Sequence, residues 1–593
     1  MLRKSIQNVL WIALVAAGVL VAPSARAQTA AQFLEWLTQY TQGDLRADYN
    51  RNGVLSPADF HAFLLFHQGG GDGRGSADTG QPDGGGDDGV GGPETGWTEF
   101  EASRDTRTIY VAANGRDTNH GRSANRPVRT VAEGIRRLRD GRPDWLLLRR
   151  GDTFNESLGS NWSKSGRSAS EKMVIGAYGD ESLPRPVLNT GTSKALTMFK
   201  NDPREHLAFV SLELRAGVNY SNAGISITAG GVEDVLFEDL LLSGYTQGIA
   251  FNGSLKDIAI RRCVVIDSGG ATRAQALYAE GVDGLLVEQS VFDRNGWIAS
   301  QGRDASTTIF AHNVYIQRDV TGLVFRDNFT SRASSHGLQV RNGGDVLRNV
   351  FWQNPIALSF GNENRKVNEF PVSGNIDDNV VLEAIDMNSD QKRGWGIQIQ
   401  NANGVSVSRN IFANARVDRA YGLMLFTSNQ AGNRDLVVAD NVIDDFGRNI
   451  RIDTDDVIST TFRGNTITSS RGSFPLFIHR GSKVNRISFE GNQYRHNASS
   501  NPLELDGSRI SLQRWRQVLD RQGRKVPLKN GSSDPYVNGS ATLATYARTL
   551  GYTNGQDFIA AMRKQRKGSW DKRLTPEAIR EFFGEAFTLK TAN

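Results

Sequence analysis

Cysteine is almost absent from this chain: Cys263 is the only one in 593 residues. Disulfide frameworks and thiolate metal sites are therefore excluded, and the fold must rest on packing and hydrogen bonding. Cys263 itself lies in an apolar stretch, Ile258-Ala259-Ile260-Arg261-Arg262-Cys263-Val264-Val265, where a buried structural thiol is expected. Long apolar runs are just as scarce. The one present, Val9–Ala22, is shorter than the roughly 20 residues a membrane span needs. It follows Met1-Leu2-Arg3-Lys4 and precedes Ala25-Arg26-Ala27, the layout of a cleaved export signal over residues 1–27. A secreted or periplasmic location is expected, with no transmembrane segment once that signal is removed. The body lacks the 3.6-residue apolar period of an α-solenoid. It also lacks any basic-aromatic nucleic-acid module.

Charge is unevenly spread. The net charge is +5, of which residues 1–27 carry +3, residues 28–68 carry −2 and residues 69–96 carry −5, which leaves +9 on residues 97–593. A basic body suits an anionic partner such as an acidic polysaccharide.

Residues 28–68 open with the amphipathic Phe33-Leu34-Glu35-Trp36-Leu37 and contain Asp48-Tyr49-Asn50-Arg51-Asn52-Gly53-Val54-Leu55-Ser56-Pro57-Ala58-Asp59. Oxygen ligands fall at loop positions 1, 3, 5 and 9 (Asp48, Asn50, Asn52 and Ser56). The Val54 carbonyl falls at position 7, Asp59 at position 12 and the tight-turn glycine, Gly53, at position 6. The segment resembles a single EF-hand or dockerin-like module, which implies a Ca2+ site and a protein partner. True dockerins carry two such loops, and Asp59 stands where a longer glutamate is usual. Residues 69–96, rich in Gly and Asp, read as a flexible linker.

From Thr108 the pattern changes. Ile109-Tyr110-Val111, an amphipathic helix near Val131–Arg139, Trp145–Leu148 and Met173-Val174-Ile175-Gly176-Ala177-Tyr178-Gly179 follow in order. This strand, helix, strand and turn resembles the N-terminal cap of pectate-lyase-like β-helices. A repeat follows. Val235–Leu240, Ile258–Cys263, Leu285–Ser290 and Leu323–Asn328 align without gaps, and the last position continues through Asn349, Asn379, Asn410, Asn441, Asn465 and Asn492. The steps are 23, 27, 38, 21, 30, 31, 31, 24 and 27 residues. One short strand-turn-strand coil per step, with like residues stacking, predicts an all-β right-handed parallel β-helix over residues 97–497 with an Asn ladder in a buried corner. Residues 498–593 read as a helical tail, with helices near 541–550, 556–566 and 576–586. It either covers the open end of the solenoid or packs along its side. A monomer is expected.

Two neighbouring coils hold the densest chemistry: His312-Asn313-Val314-Tyr315-Ile316-Gln317 and His336-Gly337-Leu338-Gln339-Val340-Arg341. A constant offset of 24 residues predicts His336 over His312, Gln339 over Tyr315 and Arg341 over Gln317. Strand alternation puts Val314, Ile316, Leu338 and Val340 inside, and Asn313, Tyr315, Gln317, Gln339 and Arg341 on one surface strip. The small Ala357, Ser359 and Gly361 continue that strip on the next coil. Parity puts His312 and His336 inside, although strand starts at a corner often break it. Long insertions flank these coils and add Arg303, Arg365 and Lys366 as candidate substrate ligands beside Asn313, Gln317 and Gln339.

Histidine, tyrosine and arginine in one groove suit β-elimination on a uronic acid polymer. His312, Tyr315, His336 and Arg341 are the catalytic candidates. The pair of coils also resembles the catalytic stretch of mannuronan C5-epimerases, in which a His on one coil precedes a His-Gly strand on the next. The Asp-Pro-His-Asp of those epimerases is absent, since His312 stands in Phe310-Ala311-His312-Asn313. A lyase is the leading expectation, and epimerase, glycoside hydrolase and non-catalytic adhesin stay open. Hydrolysis would need two carboxylates, for which Glu280, Asp304 and Glu363 are available.

Overall fold

A computed structural model describes residues 96–587, except 218–219, 221, 271–272, 301–302, 362–371, 389, 426–431, 454–456, 471–474, 482–485, 497–498, 522–528 and 531–540. The export signal, the calcium-loop segment with Asp48, Asn50, Asn52, Val54, Ser56 and Asp59, the linker up to residue 95, and Glu363, Arg365 and Lys366 all lie outside the described residues.

Each coil contributes short strands to three parallel ladders, which wind into a β-solenoid of about 12 turns. One ladder runs from Thr108–Val111 through Trp145–Arg149, Met173–Tyr178 and Arg204–Val210 into Gly230–Glu238 and onward to Ile487–Glu490. The cap strands seen in the sequence are therefore rungs themselves, and the solenoid is longer than the Asn repeat suggests. The open N-terminal end is closed by a helix, Val131–Arg137, capped by the Thr130 side chain. Gly134 faces Leu146 and Val111 so closely that a Cβ would lie 2.6 Å from the Leu146 side chain, which is why a glycine stands mid-helix. The core is a continuous stack of aliphatic and Phe side chains, with Phe209, Phe237 and Phe251 layered ring on ring at 5.5 and 6.1 Å.

The Asn ladder fills one corner. Each asparagine from Asn349 to Asn492 accepts from the backbone N–H and the side-chain amide of its predecessor, at 2.8–3.2 Å. Each amide also donates to a strand carbonyl, so the corner is satisfied without water. The residue before each rung is left-handed: Asp239, Arg262, Gln289, Asp327, Arg348, Asp378, Arg409 and Asp440 have φ of 50–57°. Gly464 and Gly491 take the same place without a Cβ penalty.

The two C-terminal parts do different jobs. Leu512–Arg521 covers the end of the coils, with Trp515 packed on Phe489 at 4.7 Å and on Tyr494 at 5.6 Å. The helices Leu543–Thr549, Gly555–Met562 and Pro576–Phe587 lie along the side of the solenoid, against Val264, Val291, Phe329, Val350, Trp352 and Val380. Of the two placements open for residues 498–593, the end cap is thus only their first helix. Cys263 is fully buried, and burial pushes its thiol up to about 12. No helix among the described residues is long and apolar enough to cross a membrane.

Candidate functional site

The strands Gln275–Glu288, His312–Ile316, His336–Val340, Ile356–Gly361, Trp395–Gln400, Tyr421–Leu425 and Ile450–Asp453 pair in that order on one face. Register stacks Tyr278, Tyr315, Gln339, Ser359, Gln398, Met424 and Arg451 in one row. A parallel row stacks Gln275, His312, His336, Ile356, Trp395 and Tyr421. His336 therefore lies over His312 and Gln339 over Tyr315, as the 24-residue offset predicts.

Parity fails at the strand start. The His312 ring lies 4.9 Å from the Tyr315 ring and 4.6 Å from the His336 ring, so both histidines share the strip with Tyr315. Two consecutive residues, Asn313 and Val314, point inward instead. Asn313 is completely buried and does not stand on the strip. Its amide donates to the Phe292 and Ser331 carbonyls, and its Oδ1 accepts from the Asn295 backbone and side chain. It is a second corner asparagine, not a substrate ligand. Ala357, expected on the strip, belongs to the core for the same reason. A Cβ on Gly337 would meet the Thr330 hydroxyl at 2.6 Å and the Ala357 carbonyl at 2.8 Å, so this rung needs glycine.

His312 is 2% exposed, and neither of its ring nitrogens has a hydrogen-bond partner. Burial, helped by the Arg341 cation, pushes it down to about 3. The Gln339 amide acts in the opposite sense, but it does not reach hydrogen-bonding geometry with the ring. His336 is held well below its usual range by burial and by its neighbours His312, Arg341 and Arg393. Its Nδ1 meets the Ser335 hydroxyl at 3.0 Å, and that hydroxyl donates to the Ala311 carbonyl at 2.6 Å. Both imidazoles are neutral at pH 7, so each keeps one unprotonated ring nitrogen.

Tyr315 is partly exposed. Its ring meets Tyr278 edge-on at 5.6 Å, and the Arg341 guanidinium lies 5.8 Å from its centroid. Tyr278 donates to Glu280 at 2.7 Å and accepts from the Gln317 amide at 3.2 Å. Burial and the Glu280 carboxylate raise the Tyr278 phenol well above its usual range. Gln317 thus braces Tyr278, and Gln339 is 3% exposed beside His312. Arg303 begins the strand Arg303–Ser306, which pairs antiparallel with Ile298–Ser300 in a hairpin off the coil.

Tyr278 and Ser335 are part of the site although the sequence pattern did not point to them; Glu280, one of the candidate carboxylates, joins Tyr278, and Arg393 stands on the same face beyond the histidines. Tyr278 and Tyr315 are 37 residues apart, whereas the Glu288–Arg326 pair of the same coils is 38 apart. The long insertion between them hides the stacking. Arg393 follows another long connection and lies over Trp395, 4.9 Å from the ring centroid. No group of three or more His, Cys, Asp or Glu suited to a metal occurs among the described residues.

No family model matches the chain, and no curated protein does. Solved structures with a similar fold include the A-module of the Azotobacter vinelandii mannuronan C-5 epimerase AlgE6. It is 14% identical over 62% of this chain and 90% of that one, with a TM-score of 0.32. Pectate lyase Pel9A is 13% identical over 75% and 84% of the two chains, with a TM-score of 0.31. The Streptococcus pneumoniae surface protein and adhesin PfbA is 10% identical over 63% and 94%, with a TM-score of 0.35. Likeness at this level bears on fold alone, and what the chain does lies in the chemistry of its strip.

Proposed function

We propose that this protein is an exported polysaccharide-active enzyme, a lyase that cleaves a uronic-acid-containing polymer by β-elimination. The observation that carries the reading is His312. A buried imidazole with both nitrogens unbonded costs roughly 1–3 kcal/mol, and this one lies against Tyr315 and under the influence of Arg341. A core residue would gain nothing from that arrangement, whereas a proton acceptor awaiting a substrate would.

In this reading Arg341 pairs with the uronate carboxylate and acidifies the C5 proton. Neutral His312 takes that proton, the C5–H electron pair forms the C4=C5 bond, and the C4–O4 bond breaks as the Tyr315 hydroxyl protonates O4. His336, stacked on His312 and tied to Ser335, holds the imidazole pair in place. Epimerisation shares the first step and returns the proton to the opposite face of C5. The stack of His312 on His336-Gly337 is compatible with it. Hydrolysis fits less well. Glu280 is engaged by Tyr278, and the rungs that follow it carry Gln317 and Arg341 in place of a second carboxylate.

The test is incubation with alginate, pectate and other uronans, following the absorbance of the unsaturated product. Rising absorbance with chain shortening is expected. Reducing ends without absorbance would replace the lyase with a hydrolase. Altered C5 configuration without cleavage would make it an epimerase, and binding without any product would make it an adhesin.

A further inference from the structure

The strip does not stop at the histidines. Along the C-terminal coils the same face carries Arg393, Trp395, Tyr421, Arg448 and Arg451. Arg393 lies over Trp395, and Arg448 and Arg451 lie over Tyr421 at 5.7 and 5.8 Å. Arg448 also donates to the Tyr421 hydroxyl at 2.8 Å. Arg451 has a carboxylate partner, Asp453, at 2.8 Å. Arg393 and Arg448 have no carboxylate within ion-pairing distance among the described residues, and the Arg393 Nε is buried without a partner. Trp395, Tyr421, Met424 and Ile478 pack together beneath them.

The opposite arm of the strip has a different character. Gln247 donates to Gln275 at 3.1 Å, Gln275 donates to the Phe310 carbonyl, and Gln317 donates to Tyr278, which donates to Glu280. No guanidinium among the described residues stands in that network. Cations held over aromatic rings on this face therefore begin at Arg341 and continue toward the C-terminus, whereas the cation on the other arm, Lys194, donates to the Ser226 hydroxyl at 3.0 Å. Register places Trp395 two rungs and Tyr421 three rungs beyond His336. At the usual 4.7–4.9 Å between strands, the Tyr421 platform lies about 14 Å along the axis from the histidine pair.

We infer that Arg393, Arg448 and the Trp395–Tyr421 platform form a second anion-binding station that takes an acidic sugar several units from the reacting one. The substrate would then be a polyanion charged on repeated units, with its long arm over the C-terminal coils. The inference rests on the proposed catalytic strip for its direction and on the arginine–aromatic cluster for its chemistry. Guanidinium groups without a carboxylate partner, held over aromatic rings, suit a ring-shaped ligand with a carboxylate or sulfate edge. A chain acidic at one unit only would engage Arg341 and leave this station idle.

Binding measured separately from turnover tests this. Wild-type protein and the double variant Arg393→Gln/Arg448→Gln would be titrated calorimetrically with oligouronates of three and eight units and with a neutral β-glucan octamer. The wild type should bind the acidic octamer at least tenfold more tightly than the trimer and should not bind the glucan. The variant should lose roughly tenfold or more for the octamer, with little change for the trimer, and its dependence on salt should flatten. Circular dichroism and melting temperature confirm that the variant is folded, and Arg448→Lys should restore part of the affinity. A folded double variant that binds the octamer like the wild type would overturn the station. Arginine-dependent octamer binding without any chemistry on the polymer would instead sink the catalytic reading and leave the station standing.

Discussion

His312 is an imidazole that a stability-driven core would replace. It is buried with no hydrogen bond at either nitrogen, and its neighbours are rings and a cation. Replacing it with an apolar residue removes the unsatisfied polar atoms, so His312→Leu should hold or raise the unfolding free energy while turnover falls by roughly 10²–10⁴-fold. Denaturant titration beside the uronan assay checks both halves. Marked destabilisation with activity retained would mark His312 as structural. Tyr315→Phe should likewise lose activity with the fold unchanged, because the ring contacts with Tyr278 and His312 do not need the hydroxyl. The sequence offset alone placed His336 over His312. It could not place Asn313, whose inward turn comes from a corner where two successive side chains face the interior.

At the scale of the elements, the corner opposite the strip supports the coils. Asn379 accepts from the Asn349 N–H and amide, and donates to Asn410 and to the Val346 carbonyl. Asn379→Ala strands several buried polar groups at once and should lower stability by roughly 2–4 kcal/mol. A loss below about 0.5 kcal/mol in urea unfolding would show that the ladder is incidental. The ladder was legible in the sequence because it recurs at one position per coil. The left-handed residue before each rung was harder to read, because Asp, Arg and Gln fill that position and its φ belongs to the corner geometry. In several places the charges there pair across coils, as Arg348 does with Asp327 at 2.9 Å.

Two properties belong to the whole molecule. His312 and His479 are pushed down to about 3 by burial, and His336 is held well below 6.5. In the unfolded chain these groups protonate near their ordinary values, so the unfolded state binds more protons as the pH falls below about 6.5. Stability should decline by up to roughly 1.4 kcal/mol per pH unit for each histidine. The window between pH 6.5 and 5 lies above ordinary carboxylate titration and isolates this effect. Urea midpoints that stay flat from pH 7 to 5 would contradict it. The second property is the helical flank. Phe558, Ile559, Met562, Ile579, Phe583 and Phe587 cover Val264, Phe329, Val350, Trp352 and Val380, and Arg563 pairs with Asp293 at 3.0 Å. Removing residues 541–593 should expose that apolar side and yield a protein that binds hydrophobic dyes and self-associates. A monomeric, dye-silent truncation would show the flank to be dispensable.

The sequence by itself determined the parallel coils, the Asn ladder and the pairing of two histidine-bearing rungs. All three depend on spacing, and spacing in a solenoid translates directly into stacking. Tertiary structure decided what spacing does not encode. A corner turned His312 and His336 onto the strip and Asn313 off it, because two successive inward side chains break strand parity there. Long connections of unequal length brought Tyr278 and Arg393 to the same face. Packing along the apolar side placed the C-terminal helices on the flank and left the end of the coils to Trp515.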